Sequence, residues 1–194
     1  MFNDRRSRRI IFVAHCILNQ NAKLDRCALY PGAILEVSRL LVESGVGILQ
    51  IPCPELQALG LGRQARQGNQ ASIEEEDTRI RLRMEEKESR QVCRQIARLV
   101  LHDLEEYSRN GFQIVGLVGV NGSPSCAVEV TWEADAEKAG PGILVGILRD
   151  EMLNRGLLCP CIGIRASQPA EAVSAVMRIL QEPFGKEKDL RGSG

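Results

Sequence analysis

Several features that mark common classes of protein are missing from this chain of 194 residues. Its 25 basic and 25 acidic side chains cancel, so bulk charge gives no support for nucleic-acid binding. No apolar run approaches the roughly 20 residues that cross a bilayer. Neither a Gly-x-Gly-x-x-Gly nor a Gly-x-x-x-x-Gly-Lys phosphate-binding sequence occurs. We therefore expect no nucleic-acid partner, no membrane partner and no nucleotide cofactor.

The chain also lacks the pattern of a secreted, disulfide-linked protein. Its seven cysteines are an odd number in a long chain, whereas secreted disulfide frameworks are short and pair their cysteines. A basic cluster at residues 5–9 precedes an apolar run at 10–14, but His15 and Cys16 make that run too short for a signal peptide. We therefore expect a cytoplasmic location, where thiols act as small apolar groups, reactive groups or metal ligands.

Apolar runs predict the architecture. Residues 10–14, 46–52 and 114–120 do not alternate apolar with polar side chains, which is typical of strands covered on both faces in a parallel sheet. A fourth strand is predicted over 157–164. We predict one α/β domain over residues 1–194, with its core at about 9–181. It has three layers, with a mainly parallel sheet of about four to five strands and helices on both faces.

Helical segments lie between these strands. The predicted helices cover residues 31–45, about 85–110, 141–156 and 167–180. The acidic run at 74–77 is interpreted as a solvated face at the start of a long polar helical region. The segment around Trp132 is interpreted as variable, and residues 185–194 as a frayed tail.

Three cysteines follow the predicted strands. Cys16 comes after the first strand, Cys53 after the second, and Cys126 after the third strand and a turn at 121–125. Ligands of open parallel sheets bind outside the carboxyl ends of the strands, so we expect the three thiols to share one metal or iron–sulfur site. They are far apart in the chain, unlike the close pairs of zinc fingers and ferredoxins, so their placement at strand ends carries the prediction.

Two of these cysteines have neighbours that suit catalysis. Glu55 lies two residues beyond Cys53 and is a candidate base toward water. Ser123 and Ser125 place hydroxyls beside Cys126. Simpler roles stay open, since Glu55 can cap a helix and the serines can stabilise their turn.

The first cysteine has candidate substrate-binding neighbours. Asn19 and Asn21 offer amide groups suited to a neutral polar ring. His15 can tune a metal centre or donate to a substrate, and it can equally be a packing residue. Cys27 and Cys93 are interpreted as incidental.

The motifs around the three cysteines resemble those of the thiouracil desulfidase family. They are His15-Cys16-Ile17-Leu18-Asn19-Gln20-Asn21, Pro52-Cys53-Pro54-Glu55 and Gly122-Ser123-Pro124-Ser125-Cys126, and the resemblance covers roughly residues 9–165. It implies a [4Fe–4S] cluster on Cys16, Cys53 and Cys126 that removes sulfur from a thiolated nucleobase without net redox chemistry. It further implies that one iron of the cluster has no protein ligand. The substrate sulfur would bind this iron while water attacks the carbon that carries the sulfur. Glu55 would then be the base, and Ser123 or Ser125 would position the substrate or a proton.

The chain departs from the family pattern in two places. After Cys16 it reads Asn-Ala-Lys-Leu-Asp where the family usually has Arg-Tyr-Asp-Gly, and Ala127 stands where glycine is common. The resemblance is therefore to a divergent branch, and we expect the altered loop to line the pocket for a small thiolated substrate.

Other interpretations of the cysteines stay open. The three strand-end thiols could instead hold zinc for stability or a cluster for redox sensing, without catalysis. Residues 159–165 match the Cys-x₅-Arg spacing of phosphatases, but Pro160 removes a backbone amide that a phosphate loop needs. Cys159 and Cys161 could also form a redox pair or supply an alternative ligand. We expect one of them to line the same crevice without ligating.

Overall fold

The computed structural model of the protein describes residues 2–65 and 71–181. Its strands are β1 (Arg9–Ala14), β2 (Gly47–Ile51), β3 (Gln113–Val120), β4 (Val130–Glu133), β5 (Ala136–Ala139) and β6 (Cys161–Ile164). Its helices are α1 (His15–Leu18), α2 (Leu35–Glu43), α3 (Pro54–Leu59), α4 (Ile73–Glu85), α5 (Lys87–Arg109), α6 (Ile143–Asn154) and α7 (Pro169–Gln181), with a 3₁₀ helix at Gln20–Ala22. Within these ranges, no helix is both long and apolar enough to cross a membrane.

Four strands form a parallel sheet in the order β2-β1-β3-β6. Helices cover both of its faces, so the predicted α/β fold with a mainly parallel sheet is confirmed. Strands β4 and β5 form a separate antiparallel hairpin.

The central strand β1 shows why its sequence does not alternate. Ile10 and Phe12 point into a core formed with α5 and α6. Ile11 and Val13 point into a second core formed with α2 and α7. Because successive strand residues face opposite sides, a strand between two apolar layers must be apolar at every position.

The observed elements differ from the predictions in three places. The last strand begins at Cys161 and is shorter than the predicted 157–164, since Pro160 has no N–H to continue the ladder. The predicted long helical region is two helices, separated at Glu86 by an extended backbone conformation. The segment around Trp132 is the β4–β5 hairpin. The predicted frayed tail lies outside the described residues.

The register of the sheet brings its carboxyl ends to one edge. Ala14 of β1 pairs with Ile51 of β2, and Val120 of β3 pairs with Ile164 of β6. The chain segments that leave these four strands therefore meet at the same edge of the sheet, which is the location expected for the site.

Candidate functional site at the carboxyl edge of the sheet

A cavity of about 350 Å³ opens at this edge. Its lining contains six of the nine predicted site residues: His15, Cys16, Cys53, Glu55, Ser123 and Cys126. The three thiols come from three separate strand ends, so the fold brings together groups that are far apart in the sequence.

Cys16 reaches the cavity because α1 begins directly after β1. The side-chain amide of the buried Gln20 donates a hydrogen bond of 2.6 Å to the carbonyl oxygen of Cys16. The carbonyl oxygen of the same side chain accepts from Leu29 N at 3.2 Å. Gln20 thus fixes the loop that follows the first thiol.

Cys53 is the N-cap of α3, and Pro54 stands in the first turn of that helix. Its Sγ accepts a hydrogen bond from Leu56 N at 3.5 Å, so the thiol occupies the position that a serine or aspartate commonly takes at a helix start. The sequence analysis left a helix-capping role open for Glu55. In the structure Cys53 caps the helix, and the Glu55 carboxylate is directed elsewhere.

A hydrogen-bonded loop holds Cys126 beside the end of β3. Its carbonyl oxygen accepts from Val120 N at 3.0 Å. A Cβ on Gly119 would lie 2.3 Å from that oxygen, so glycine is needed for this close approach. The Asn121 side-chain oxygen also accepts from the backbone N–H groups of residues 128–130 at 3.1 to 3.3 Å, which closes the loop.

The three thiols influence one another electrostatically. Burial raises the pKa of Cys16, and burial together with Glu55 raises the pKa of Cys53 to about 12. Burial, followed by the nearby Cys53 and Cys16, raises the pKa of Cys126 well above its ordinary value. Because burial and like charge both disfavour thiolates, these side chains are neutral unless a cation is added to the site.

The donor set fits the iron–sulfur cluster that the family resemblance implies. Three partly buried thiols share one cavity, and soft thiolate ligands suit iron–sulfur clusters. In the described ranges, no three His, Cys, Asp or Glu side chains form a preformed group for one metal ion. A tetrahedral zinc would need its sulfurs about 3.8 Å apart, given Zn–S bonds of about 2.3 Å. A cluster binds each thiolate to a different iron and so accepts a wider set.

Arg63 is a site residue that the sequence analysis did not identify. Its side chain is 1% exposed, and its Nε donates to Glu55 Oε2 at 3.3 Å. One terminal nitrogen donates to Ala22 O at 2.6 Å and lies 3.5 Å from Cys53 Sγ, while the other donates to Gly60 O and Leu61 O, both at 3.0 Å. Arg63 therefore joins the loop after Cys16 to the helix that carries Cys53 and Glu55.

Asp77 is the second residue that the sequence analysis missed. The acidic run at 74–77 was expected to be a solvated face, and this is wrong for two of its members. Glu76 is buried and pairs with Arg79 at 2.6 Å, and Asp77 lines the cavity. Burial, followed by the nearby Glu55, raises the pKa of Asp77 to about 7, although Lys23 opposes the shift. Asp77 therefore titrates near neutral pH, unlike an exposed aspartate.

The outer wall of the cavity combines an aromatic ring with paired charges. Trp132 Nε1 donates to Thr78 Oγ1 at 2.8 Å, which joins the β4–β5 hairpin to α4. Arg165 and Glu137 form a two-point ion pair of 2.7 and 2.8 Å. The lining contains equal numbers of acidic and basic residues. They are Glu55, Glu74, Asp77 and Glu137, and Lys23, Arg26, Arg63 and Arg165.

Cys27, interpreted from sequence as incidental, also lines the cavity. Its pKa is raised mainly by burial, and the charged groups that act on it include Lys23, Asp77 and Arg26. Lys23 and Glu55 act on Cys16 as well, so Cys27 shares part of its surroundings with the first of the three thiols.

Three predicted site residues fall outside the cavity lining as drawn from the described residues: Asn19, Asn21 and Ser125. Asn19 Oδ1 accepts from both the backbone and side-chain nitrogens of Asn21 at 3.1 Å, and Asn19 Nδ2 lies 3.4 Å from His15 Nε2. Ser125 Oγ is fully buried and has no hydrogen-bond partner among the described residues. Asn19 can therefore orient the His15 ring, whose pKa is lowered by burial and then by Arg63.

The remaining cysteines lie elsewhere. Cys93 is buried in the core between α5 and the sheet, where burial raises its pKa to about 11. Cys161 is the first residue of β6 and pairs with Leu117 in the middle of β3, and Cys159 precedes the strand. The expectation that one of these two lines the crevice is wrong, because neither lines the cavity at the carboxyl end of the strand.

Comparisons with known proteins give a limited result. No protein-family model matches the chain, and no solved structure gives a significant match. The uncharacterized protein MJ0003 of Methanocaldococcus jannaschii is 32% identical over 123 residues, which is 63% of this chain and 70% of that protein. Its name assigns no activity, so the resemblance to thiouracil desulfidases stays a prediction. On this similarity, the chain belongs to the same family as MJ0003 of Methanocaldococcus jannaschii.

Proposed function

We propose that the protein is a cytoplasmic, iron–sulfur-dependent desulfidase that removes sulfur from a small thiocarbonyl compound, such as a thiolated nucleobase, without net redox chemistry. The observation that carries this proposal is the convergence of three partly buried thiols with Glu55 in one cavity. A purely structural metal site is normally closed by four protein ligands, whereas an open site has room for a substrate.

Cys16, Cys53 and Cys126 are the residues that would hold the cluster. When bound on three thiolates, a [4Fe–4S] cluster supplies one Lewis-acidic iron that is free to polarise a thiocarbonyl group. The positive charge of the iron would also offset the burial and mutual repulsion that raise the pKa values of these thiols.

Glu55 is the proposed general base. Its side chain is 15% exposed and lies two residues from Cys53, so it can take a proton from a water molecule in the cavity. Arg63 holds one oxygen of this carboxylate through Nε at 3.3 Å. This contact restrains the Glu55 carboxylate in the cavity lining beside Cys53.

Asp77 is the proposed proton donor. A carboxyl group with a pKa of about 7 holds a proton in about half of the molecules at neutral pH. It lines the same cavity as Glu55, so one carboxyl group can accept a proton while the other supplies one to a ring nitrogen or to the departing sulfur. Two carboxyl groups with different environments commonly divide acid and base roles in this way.

The size and lining of the cavity support a small, ring-shaped substrate. At about 350 Å³ the cavity is near the lower end of the range for small-molecule sites. The Trp132 indole offers an apolar face for a planar ring, and the balanced charges of the wall do not favour an anion such as a phosphate ester. Ser123 would shape the turn, because its hydroxyl accepts from Ser125 N and Cys126 N.

The experiment that tests the proposal is an iron and acid-labile sulfide count on protein purified or reconstituted without oxygen. Cys16→Ala, Cys53→Ala and Cys126→Ala should each lose the cluster. Cys27→Ala is the matched control, because Cys27 lines the same cavity, and this variant should keep its iron. The wild-type protein would then be assayed for sulfide release from 2-thiouracil and 4-thiouracil.

Two results would contradict the proposal. The first is bound zinc, or an equal metal content in all four cysteine variants. The second is a fully loaded protein that releases no sulfide from any thiocarbonyl compound in the screen.

A further inference from the structure

A second group of thiols lies at the start of β6, away from the carboxyl edge of the sheet. Cys161 is the first residue of β6 and pairs with Leu117 of β3, whereas Ile164 at the carboxyl edge pairs with Val120. At about 3.3 Å per residue, Cys161 lies about 10 Å from that edge along the strand. The proposed desulfidase chemistry makes no use of this group.

The two thiols of this group lie next to each other. The side chains of Cys159 and Cys161 are within interaction range of each other, and Arg149 of α6 is within the same range of Cys161. Cys161 Sγ donates to the carbonyl oxygen of Cys159 at 3.4 Å, and Cys159 Sγ donates to the carbonyl oxygen of Pro160 at 3.7 Å. Both cysteines are partly exposed, and β6 is an edge strand of the sheet, so small molecules can reach them.

The backbone holds this arrangement in place. Leu117 N donates to Pro160 O at 2.7 Å, which fixes the residue between the two cysteines against β3. A Cβ on Gly116 would lie 2.7 Å from the same oxygen, so glycine is needed opposite Pro160. The thiols are therefore brought together before any reaction takes place.

The surroundings shift the pKa values of the two thiols in opposite directions. The interaction with Cys159 lowers the pKa of Cys161 against the effect of burial, and Arg149 lowers it further. The same interaction, followed by burial, raises the pKa of Cys159. Cys161 is therefore assigned the attacking role in an exchange reaction, and Cys159 the resolving role.

We propose that Cys159 and Cys161 form a thiol–disulfide exchange site that reacts with low-molecular-weight disulfides. The Cys161 thiolate attacks one sulfur of a disulfide RSSR, which forms a Cys161–S–SR mixed disulfide and releases RS⁻. This RS⁻ takes the proton of Cys159, and the Cys159 thiolate then attacks Cys161 Sγ and releases the second RS⁻. The two protein thiols are oxidised to one disulfide, and RSSR is reduced to one RSH and one RS⁻.

The sequence supplies a direct test, because trypsin cleavage after Arg155 and Arg165 releases residues 156–165, which contain both of these cysteines and no others. The full-length protein would be equilibrated without oxygen in glutathione buffers of increasing disulfide content, alkylated, digested and analysed by mass spectrometry. The peptide should lose two hydrogens and escape alkylation. Residues 27–39 form another tryptic peptide and carry Cys27 alone, as an internal control thiol.

Variants establish the order of the steps. Cys159→Ser should accumulate a glutathione adduct on Cys161, whereas Cys161→Ser should leave Cys159 almost unreacted. In the Cys159→Ser background, Arg149→Gln should slow formation of the adduct about threefold, because the smaller thiolate fraction is partly offset by greater nucleophilicity.

Two results would overturn the proposal. One is a 156–165 peptide that keeps two alkylated cysteines in a buffer where Cys27 already carries glutathione. The other is faster adduct formation on Cys159 than on Cys161. Because the readout is confined to one peptide without a proposed cluster ligand, its failure and the failure of the desulfidase proposal are separate results.

Discussion

Two groups of cysteines lie at different positions along the parallel sheet, and their surroundings differ. At the carboxyl edge, Cys16, Cys53 and Cys126 line one cavity, and their pKa values are all raised. At the start of β6, Cys161 interacts with Cys159 and Arg149, and the pKa of Cys161 is lowered. Cysteine side chains in these two places therefore suit two different kinds of chemistry. Crowded neutral thiols suit a metal centre, whereas a thiolate beside a thiol and a guanidinium suits nucleophilic exchange.

The largest expected effect comes from the base at the carboxyl edge. Glu55→Gln should lower the rate of sulfide release about a thousandfold, because the amide cannot take a proton from water. The iron content should stay unchanged, since no thiol is removed. Glu74→Gln is the matched control at the exposed start of α4 and should retain most of the activity. A Glu55→Gln protein with wild-type turnover would show that the base lies elsewhere.

The two arginines provide the next comparison. Arg63→Ala should lower the free energy of unfolding by about 3 kcal/mol, because it leaves Glu55 without its buried partner and removes a side-chain donor from three carbonyl oxygens. Arg149→Ala should lower it by at most about 1 kcal/mol, since Arg149 is partly exposed. Urea denaturation of the metal-free proteins measures both values. Equal decreases in the free energy of unfolding would mean that the Arg63 hydrogen bonds do not stabilise the fold more than Arg149 does.

The reactivities of Cys161 and Cys53 compare the two groups of thiols directly. In metal-free protein at pH 8, Cys161 should react with iodoacetamide about thirtyfold faster than Cys53, because the much larger thiolate fraction outweighs its lower nucleophilicity. Cys53 lies alone in the tryptic peptide of residues 40–63, so the two sites are read separately. Similar reaction rates for Cys161 and Cys53 would show that their pKa values do not differ as proposed.

Asp77 gives a smaller effect with a definite sign. Its pKa of about 7 in the folded protein lies above the value of about 3.9 expected after unfolding. Between these values the folded state binds the proton more tightly, so the free energy of unfolding should fall as the pH rises from about 4 to about 7 and then level off. Because the side chain is partly exposed, the fall should be about 1 kcal/mol.

Asp77→Asn should remove this fall, and Asp25→Asn should not, since the Asp25 side chain is 94% exposed. The measurement is urea denaturation of the metal-free protein between pH 4 and pH 8. A variant with an unchanged pH profile would show that Asp77 is not the titrating group.

The sequence predicted the sheet and the three strand-end thiols because apolar runs and strand order are local signals. Arg63 and Asp77 were not predicted, since each reads locally as a surface charge and becomes a site residue only where α3, α4 and the loop after α3 meet. The placement of Cys159 and Cys161 failed for a different reason. The last strand was predicted four residues too long at its start, so which of its residues lie near each edge could not be known.

The smallest effect distinguishes the two serines of the third motif. Ser123 Oγ accepts from two backbone N–H groups, so Ser123→Ala should lower the free energy of unfolding by about 1 kcal/mol. Ser125 Oγ is buried without a partner among the described residues, so Ser125→Ala removes an unsatisfied polar group and should be neutral or stabilising by about 0.5 kcal/mol. Urea denaturation measures both. If Ser125→Ala were instead the more damaging change, this hydroxyl would have a partner supplied by the loaded site, and Ser125 would join the carboxyl-edge chemistry.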